Sequence, residues 1–464
     1  MAKKKSTRRV VRKKKKEYTA EERVSRANDI SIMTSGLLMD TLQECRKEYG
    51  DANIAAAGEA GRIIIGIPLP GLALEYLFQN SVFPLSRMTQ VVGTEGTCKS
   101  GFCFEIVRWF RKSSGVGYLF ENETKYSPEF ATSIIGYPKD SNDEALGHIP
   151  CSSIEDWQAK IHTVTRKIQK VMTDTTGRSF PVVLVLDSIM GKLAEESQQK
   201  IDKDGYAGRS FPLEAMNITR WLKKFPQDIE EWPISFLAVN HLKPQKAEGG
   251  HHVERNKAGG RGISFQETFE IEMKRAGKAD IRLVDESEDG ALEIGGLRLK
   301  VACKKNSLGE TNRDIIVEVK WLHRTDPDTG EFRQYTKWDW EASLVYLLAS
   351  FDKGSRKEKI RSVVDVGGSG NRWYSKRYGI TSTEPVSAHE LGALIEADVE
   401  VKGKLRKLFG IKERKVFVPG EDYLEQLAEL RENVGKIIND PAEFEVEEPP
   451  VADLPVDEED FDDD

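Results

Sequence analysis

Two runs, Val182-Val-Leu-Val-Leu-Asp187 and Phe236-Leu-Ala-Val-Asn240, constrain this chain more than any other feature, because each is unbroken apolar sequence closing on a polar residue. Side chains alternate across a strand, so a strand with one wet face would carry a polar residue at every second position. An unbroken run has both faces covered, which is the mark of a parallel sheet held between layers of helices. Met88-Thr-Gln-Val-Val92 and Gly117-Tyr-Leu-Phe120 supply two further strands, with the apolar stretch Phe102 to Phe110 between them. From about residue 85 to 350 strands and helices alternate in this way. The 464 residues, 39% of them hydrophobic, are enough for a large core with appendages. The expected fold class is α/β.

The densest chemical signal lies between the Met88 strand and a helix starting near Gly101: Gly93, Thr94, Glu95, Gly96, Thr97, Cys98, Lys99 and Ser100. A loop that cradles phosphates needs inward-turned backbone N–H groups, a lysine for the terminal phosphates, a hydroxyl for magnesium and a helix N-terminus behind it. Gly93, Lys99 and Ser100 meet that pattern, whereas Cys98 stands where the pattern asks for glycine. A single degenerate match also fits a plain structural loop, and Cys98 reads more simply as an inert substitution than as a redox switch. Three other strand ends add to the signal. Asp187 closes an apolar strand, where an acid can hold the water shell of magnesium. Tyr118-Leu-Phe-Glu-Asn-Glu123 closes on carboxylates, and Phe236-Leu-Ala-Val-Asn240-His241 closes on groups able to sense a phosphate. Ligands of open α/β sheets sit beyond the carboxyl ends of the strands, so four strand ends are expected to meet at one place.

The ends of the chain differ in charge. Residues 1–16 carry ten Lys or Arg and no acid, and residues 443–464 carry twelve Asp or Glu and no base. Blocks of like charge read as disordered interaction tails, with solubility as the plainer alternative. No apolar segment follows the basic start, which excludes a secretory signal there, and no run approaches the roughly 20 apolar residues of a membrane span. Five scattered cysteines, Cys45, Cys98, Cys103, Cys151 and Cys303, show no paired spacing, so neither a disulfide framework nor a zinc site is expected. A reducing, cytoplasmic compartment fits better. Leu37, Leu38, Leu42, Cys45 and Tyr49 share one face of a helix over 30–49, and Ile63 to Ile67 is a short strand. Beyond residue 290, Leu297–Cys303 and Ile315–Trp321 alternate as antiparallel strands. Lys353 to Lys359 reads as a charged linker, and His389 to Phe409 and Tyr423 to Ile438 as helices of a small C-terminal domain. Trp338 and Trp340 are expected to pack at a domain junction rather than stack on bases.

With these residues in place, the chain resembles the RecA family of recombinases from about residue 37 to 410. The resemblance implies a RecA-like phosphate-loop ATPase core, mainly parallel sheet between helices, with an N-terminal docking helix and a small C-terminal α+β domain. It implies ATP and Mg2+ as cofactors. Lys99 and Ser100 fall on the family's phosphate-binding lysine and magnesium-binding hydroxyl, and Asp187 on its second magnesium position. Glu123 falls on the water-activating glutamate and Phe130 on the adenine-stacking aromatic. Asn240-His241 occupies the Asn-Gln position that couples nucleotide to DNA binding, which adds His241 to the catalytic candidates Glu123 and Lys99. A histidine there and a bulky residue before the loop lysine are similar to the phage, UvsX-type branch. Gly259 to Gly277 aligns with the end of the second DNA loop and the strand after it, placing Phe265 on an interface aromatic. Lys304 and Lys305 resemble the strand that supplies lysines to a neighbouring subunit's ATP, with the spacing open by one residue and Ser307 a possible departure.

The divisions implied are 1–29, a basic tail; 30–75, an oligomerisation helix and strand; 76–350, the ATPase and DNA-binding core; 351–440, a C-terminal domain; and 441–464, an acidic tail. Residues 243–262 read as a long structureless loop with five bases, Lys243, Lys246, Arg255, Lys257 and Arg261. Such a loop attracts phosphates without reading base identity. Asp202 to Arg209 is placed like the first DNA loop. The expected protein is therefore a DNA-dependent ATPase that filaments on single-stranded DNA, engages double-stranded DNA, and catalyses strand exchange. A single-strand-binding protein or loading mediator is a further candidate partner, no membrane is involved, and a viral origin would place it in a bacterial host's cytoplasm or nucleoid. The alternatives are a non-hydrolysing structural or accessory relative and a hexameric helicase.

Overall fold

The computed structural model describes residues 64–137, 146–174, 179–189, 213–244, 255–257, 266–276, 292–325, 330–351, 354–369 and 372–429. All of these fall in one unit, Ile63–Asn433. The helix expected at 30–49, both charged tails, and Arg209, Lys246, Arg261 and Phe265 lie outside the described residues.

A small strand pair opens the fold: β1 (Ile65–Pro68), α1 (Leu72–Phe78) and β2 (Val82–Pro84), with β2 antiparallel to β1. The large sheet then builds through β3 (Met88–Gly93), α2 (Lys99–Lys112), β4 (Val116–Glu121), α3 (Pro128–Ile135), β5 (Gly147–Pro150), α4 (Ile154–Asp174), β6 (Val182–Asp187), α5 (Leu213–Ile229) and β7 (Ile234–Pro244). A short β8 (Arg255–Lys257) follows, then β9 (Phe269–Arg275). The antiparallel extension is β10 (Leu292–Asn306), β11 (Arg313–Thr325) and β12 (Phe332–Asp339). Strand order is β12-β11-β10-β9-β3-β7-β6-β4-β5, and the block from β9 to β5 is parallel. The chain has the α/β, RecA-like core expected of it.

The apolar strands are covered as their composition requires. In β6, Val183 and Val185 face the core shared with α2, while Leu184 and Leu186 face the one shared with α4 and α5. On the latter side Trp157, Phe225 and Phe236 are each almost wholly buried. Each such side chain contributes roughly 1.5–3 kcal/mol. Trp338 and Trp340 stack on each other at 5.6 Å and are buried. Glu105 accepts from the indoles of Trp109 (3.0 Å) and Trp340 (3.1 Å), so this cluster is packing.

Three local expectations are corrected. Of the linker read at Lys353–Lys359, residues 354–359 belong to a helix, α7 (Gly354–Val363), which follows α6 (Trp340–Ser350). Its charge hides a buried anchor, Ile360, with Val364 just beyond. The helix read as continuous from His389 to Phe409 is two, α8 (Ala388–Ala397) and α9 (Val399–Phe409), preceded by the hairpin β13 (Gly367–Ser369) and β14 (Arg372–Tyr374). Asp398 breaks it by leaving helical geometry and capping α9 through Val401 N at 3.0 Å. The loop read as structureless from 243 is instead a ribbon at its base, with Leu242, Lys243 and Pro244 paired antiparallel to Lys257, Asn256 and Arg255.

The C-terminal segment closes back on the start of the fold. β15 (Lys415–Val416) pairs parallel with β1, and Arg406 makes a bidentate pair with the buried Glu75 at 2.6 and 2.5 Å. Helix α8 lies so close to α6 that a Cβ on Gly392 would come 2.0 Å from the Glu341 carbonyl oxygen.

Candidate nucleotide site

The site begins with β3, all six residues of which are buried, so its end is rigidly held. Gly93 closes it because nothing larger fits: a Cβ there would meet Thr97 Oγ1 at 2.6 Å and the Met273 carbonyl oxygen at 2.7 Å. The loop then turns through left-handed Gly96 (φ 71°) and left-handed Cys98 (φ 58°). Glycine adopts that geometry freely, whereas cysteine carries a cost of about 1 kcal/mol. Thr97 Oγ1 and Lys99 Nζ both donate to the Thr94 carbonyl, each at 2.8 Å. Burial lowers the Lys99 pKa, while the Asp187 and Glu123 carboxylates work the other way.

Behind the loop, α2 starts with no side-chain cap and no acid in its first turn. Its leading N–H groups and positive dipole end are therefore available to an anion, with the Lys99 ammonium folded into the same loop. The residues present fit a bound triphosphate.

Parallel register brings the other strand ends alongside. Gly93 pairs with His241, and Glu121 with Asp187. Ser100 Oγ donates to Asp187 Oδ2, joining the two groups expected at magnesium. Burial raises the Asp187 carboxyl, assisted by the Glu123 charge and opposed by the Ser100 hydroxyl, His241 and Lys99. A hard oxygen pair of this kind fits magnesium, which binds through one or two carboxylates and a hydroxyl beside phosphates.

Glu123 is a heavily engaged carboxylate. His241 Nε2 lies 2.9 Å from its Oε1, the Ser188 hydroxyl donates to the same oxygen, and Lys125 Nζ is 3.3 Å from Oε2. The His241 hydrogen bond leads in bringing its pKa down to about 2; burial opposes, and Ser188 and Lys125 assist. Asn122 accepts from Ser188 N at 2.8 Å, and Asn240 Oδ1 accepts from His241 N at 2.8 Å, which fixes both partners. Glu121 is turned away, accepting from Lys125 N at 2.8 Å.

Phe130 sits in the first turn of α3, its amide donating to Ser127 Oγ at 3.2 Å. The ring packs edge-on to Phe104 at 6.1 Å, beside α2. The candidate DNA contacts Lys243, Arg255 and Lys257 belong to the β7–β8 ribbon; β7 itself carries His241, and its pairing with β8 starts at the next residue, Leu242. Lys304 and Lys305 lie on β10, two strands from β3, and are not gathered into this site. Lys304 Nζ is 3.8 Å from Glu272, and Lys305 Nζ donates to the Glu267 carbonyl at 2.7 Å.

Sequence reasoning missed Ser188, Lys125 and Arg275. Ser188 directly follows Asp187, and Lys125 lies two residues past Glu123, so adjacency was the available signal. Arg275 ends β9 and donates from Nε to the Gly96 carbonyl at 3.2 Å. Its only sequence signal was a base at the end of a strand neighbouring the loop strand.

No protein-family profile matches the chain. It is similar to the protein RecA of Chlorobaculum parvum, 20% identical over 274 residues, covering 59% of this chain and 70% of that protein. The RecA of Symbiobacterium thermophilum is 22% identical over 271 residues, covering 58% and 68%. The RecA of Streptococcus parasanguinis is 21% identical over 411 residues, covering 88% and 94%. The breadth of the last match, together with the sheet order and the loop at the end of β3, supports a RecA-family relationship.

Proposed function

We propose that the chain is an ATP-dependent recombination protein of the RecA type, phage-like in its loop residues, that filaments on single-stranded DNA and catalyses strand exchange. The observation that carries this reading is the linked set Ser100–Asp187 and Glu123–His241, gathered at four strand ends and leading directly into a basic ribbon. Lys99 and the N-terminus of α2 would hold the phosphates, with Arg275 steadying the loop from the Gly96 side. Ser100 and Asp187 would hold magnesium, which supplies positive charge against the phosphates. Glu123 would orient the attacking water; a carboxylate with a pKa near 2 is a weak proton acceptor but a sound hydrogen-bond acceptor for positioning. His241 joins that carboxylate to the ribbon carrying Lys243, Arg255 and Lys257, so nucleotide and DNA would act on one connected element. Lys304 or Lys305 would reach a neighbouring subunit's ATP in the manner of an arginine finger.

The test is ATP hydrolysis measured with and without single-stranded DNA, together with negative-stain images of the same samples. DNA-stimulated turnover and helical filaments are expected. Filaments without turnover would favour the non-hydrolysing relative, a reading that the left-handed Cys98 and the tightly engaged Glu123 support. Rings with strand unwinding would revive the helicase.

A further inference from the structure

We propose that Cys98 is a positioning residue: its sulfur, seated against Gly101, holds the Phe130 ring and so sets the nucleoside end of the candidate site. The inference rests on the nucleotide reading above and goes beyond it, since it assigns a role to the one loop residue that departs from the phosphate-binding pattern.

The geometry is that of a filled notch. Gly101 lies in the first turn of α2, and a Cβ built on it would fall 2.5 Å from Cys98 Sγ, 3.3 Å from Phe130 Cζ and 3.5 Å from Ile134 Cδ1. No carbon approaches a non-bonded sulfur that closely, so the volume of a side chain at 101 is already taken by the sulfur of residue 98. Cys98 and Gly101 are thus complementary: a side chain moved from the helix into the loop. The Phe130 ring and Ile134, both on α3, border the same point. Cys98 and Phe130 are both half-buried and both pack against the main core. The loop sulfur, the start of α2 and the Phe130 and Ile134 side chains of α3 thus converge on one small volume at Gly101.

The thiol is suited to packing rather than to chemistry. Burial pushes its pKa up to about 12, with the Gly101 amide and the Lys99 charge only partly opposing, so the sulfur stays neutral and behaves as a small, polarizable apolar group. Glycine at 98 would relax the left-handed backbone but leave a void beside Gly101, and a void lets the neighbouring ring shift. Cysteine at 98 therefore trades ease of backbone geometry for a fixed ring on α3.

The experiment compares magnesium-ATP with magnesium-tripolyphosphate, which shares the phosphates but has no base, by calorimetric titration of the full chain. The variants are Cys98→Gly, Gly101→Ala and the two combined, with folding followed by circular dichroism. In Cys98→Gly, ATP should lose about fivefold more affinity than tripolyphosphate, because only ATP uses the ring. Gly101→Ala should weaken ATP by about tenfold or more, and adding Cys98→Gly should recover most of that loss, because it empties the volume the new methyl needs. Should Gly101→Ala fail to fold alone, the Cys98→Gly comparison decides. Equal loss of both ligands in Cys98→Gly would overturn the inference, as would a Gly101→Ala protein that binds ATP like the parent. A parent that binds neither ligand would instead overturn the nucleotide reading, and this inference with it.

Discussion

Replacing His241 with alanine should release Glu123. The imidazole at 2.9 Å is the largest of the influences that take this carboxyl from 4.5 to about 2. A shift of that size corresponds to about 3 kcal/mol of preference for the ionised form. The site is partly open to solvent, which screens the interaction, so about 1–2 kcal/mol is a fairer total and about 1 kcal/mol the share of His241. The sign follows from the direction of the shift. A carboxyl whose folded pKa lies below its unfolded one stabilises the fold above pH 4.5 and loses that contribution as pH falls through about 2. A double-mutant cycle of the parent, His241→Ala, Glu123→Gln and the pair, read by urea unfolding, isolates the term. A coupling of about 1 kcal/mol is expected while Glu123 is ionised, shrinking at about pH 3. A coupling below about 0.3 kcal/mol, within ordinary additivity error, would refute the reasoning, as would one that grows through the same acid range. In turnover assays His241→Ala should still bind ATP but lose stimulation by DNA, and Glu123→Gln should bind both ligands and release DNA slowly.

Lys99→Ala removes the loop's only cation, so magnesium-ATP affinity measured by calorimetry should fall by about one to two orders of magnitude. Hydrolysis at the parental rate with DNA present would show that the loop assignment is wrong. Gly392→Ala would drive a methyl onto the Glu341 carbonyl and push α8 off α6, costing about 1–3 kcal/mol; an unchanged melting temperature would contradict that packing. Truncation after Asp440 removes the acidic segment, which can mimic a phosphate chain, and should tighten binding to double-stranded DNA across a salt titration. Unchanged duplex affinity would point to a docking role for that segment instead.

Much of the core was legible because its signals are local. The runs at Val182 and Phe236 could be buried on both faces only in a parallel sheet, and the polar residue closing each run marked the edge where the site forms. The loop was legible from Gly93, Lys99 and Ser100, since each is demanded by a separate physical need. What escaped depends on distance in sequence. Arg275 meets Gly96 only because β9 lies next to β3, and Ser188 reaches Glu123 only because β6 lies next to β4. The helix at 354–363 was hidden by its charge, since one buried isoleucine is too weak a period to read against five ionisable neighbours. The break at Asp398 was hidden for the opposite reason: apolar positions continue in helical rhythm on both sides of it.

The pairing of β15 with β1 also sets a timetable for synthesis. Ile65 and Gly66 find Lys415 and Val416 as partners, and Gln79 and Ser81 bond to residues near 410, so the first strand pair is completed by residues made much later. At ordinary elongation rates of about 5–20 residues per second, β1 emerges and waits roughly 20–70 s for its partner. Through that interval one edge of the β1–β2 pair stays open to any other strand in reach, including the same strand of a second nascent chain. A ribosome that pauses before Lys415 prolongs this exposure, so codon choice across α8 and α9 becomes a determinant of soluble yield even though no residue changes.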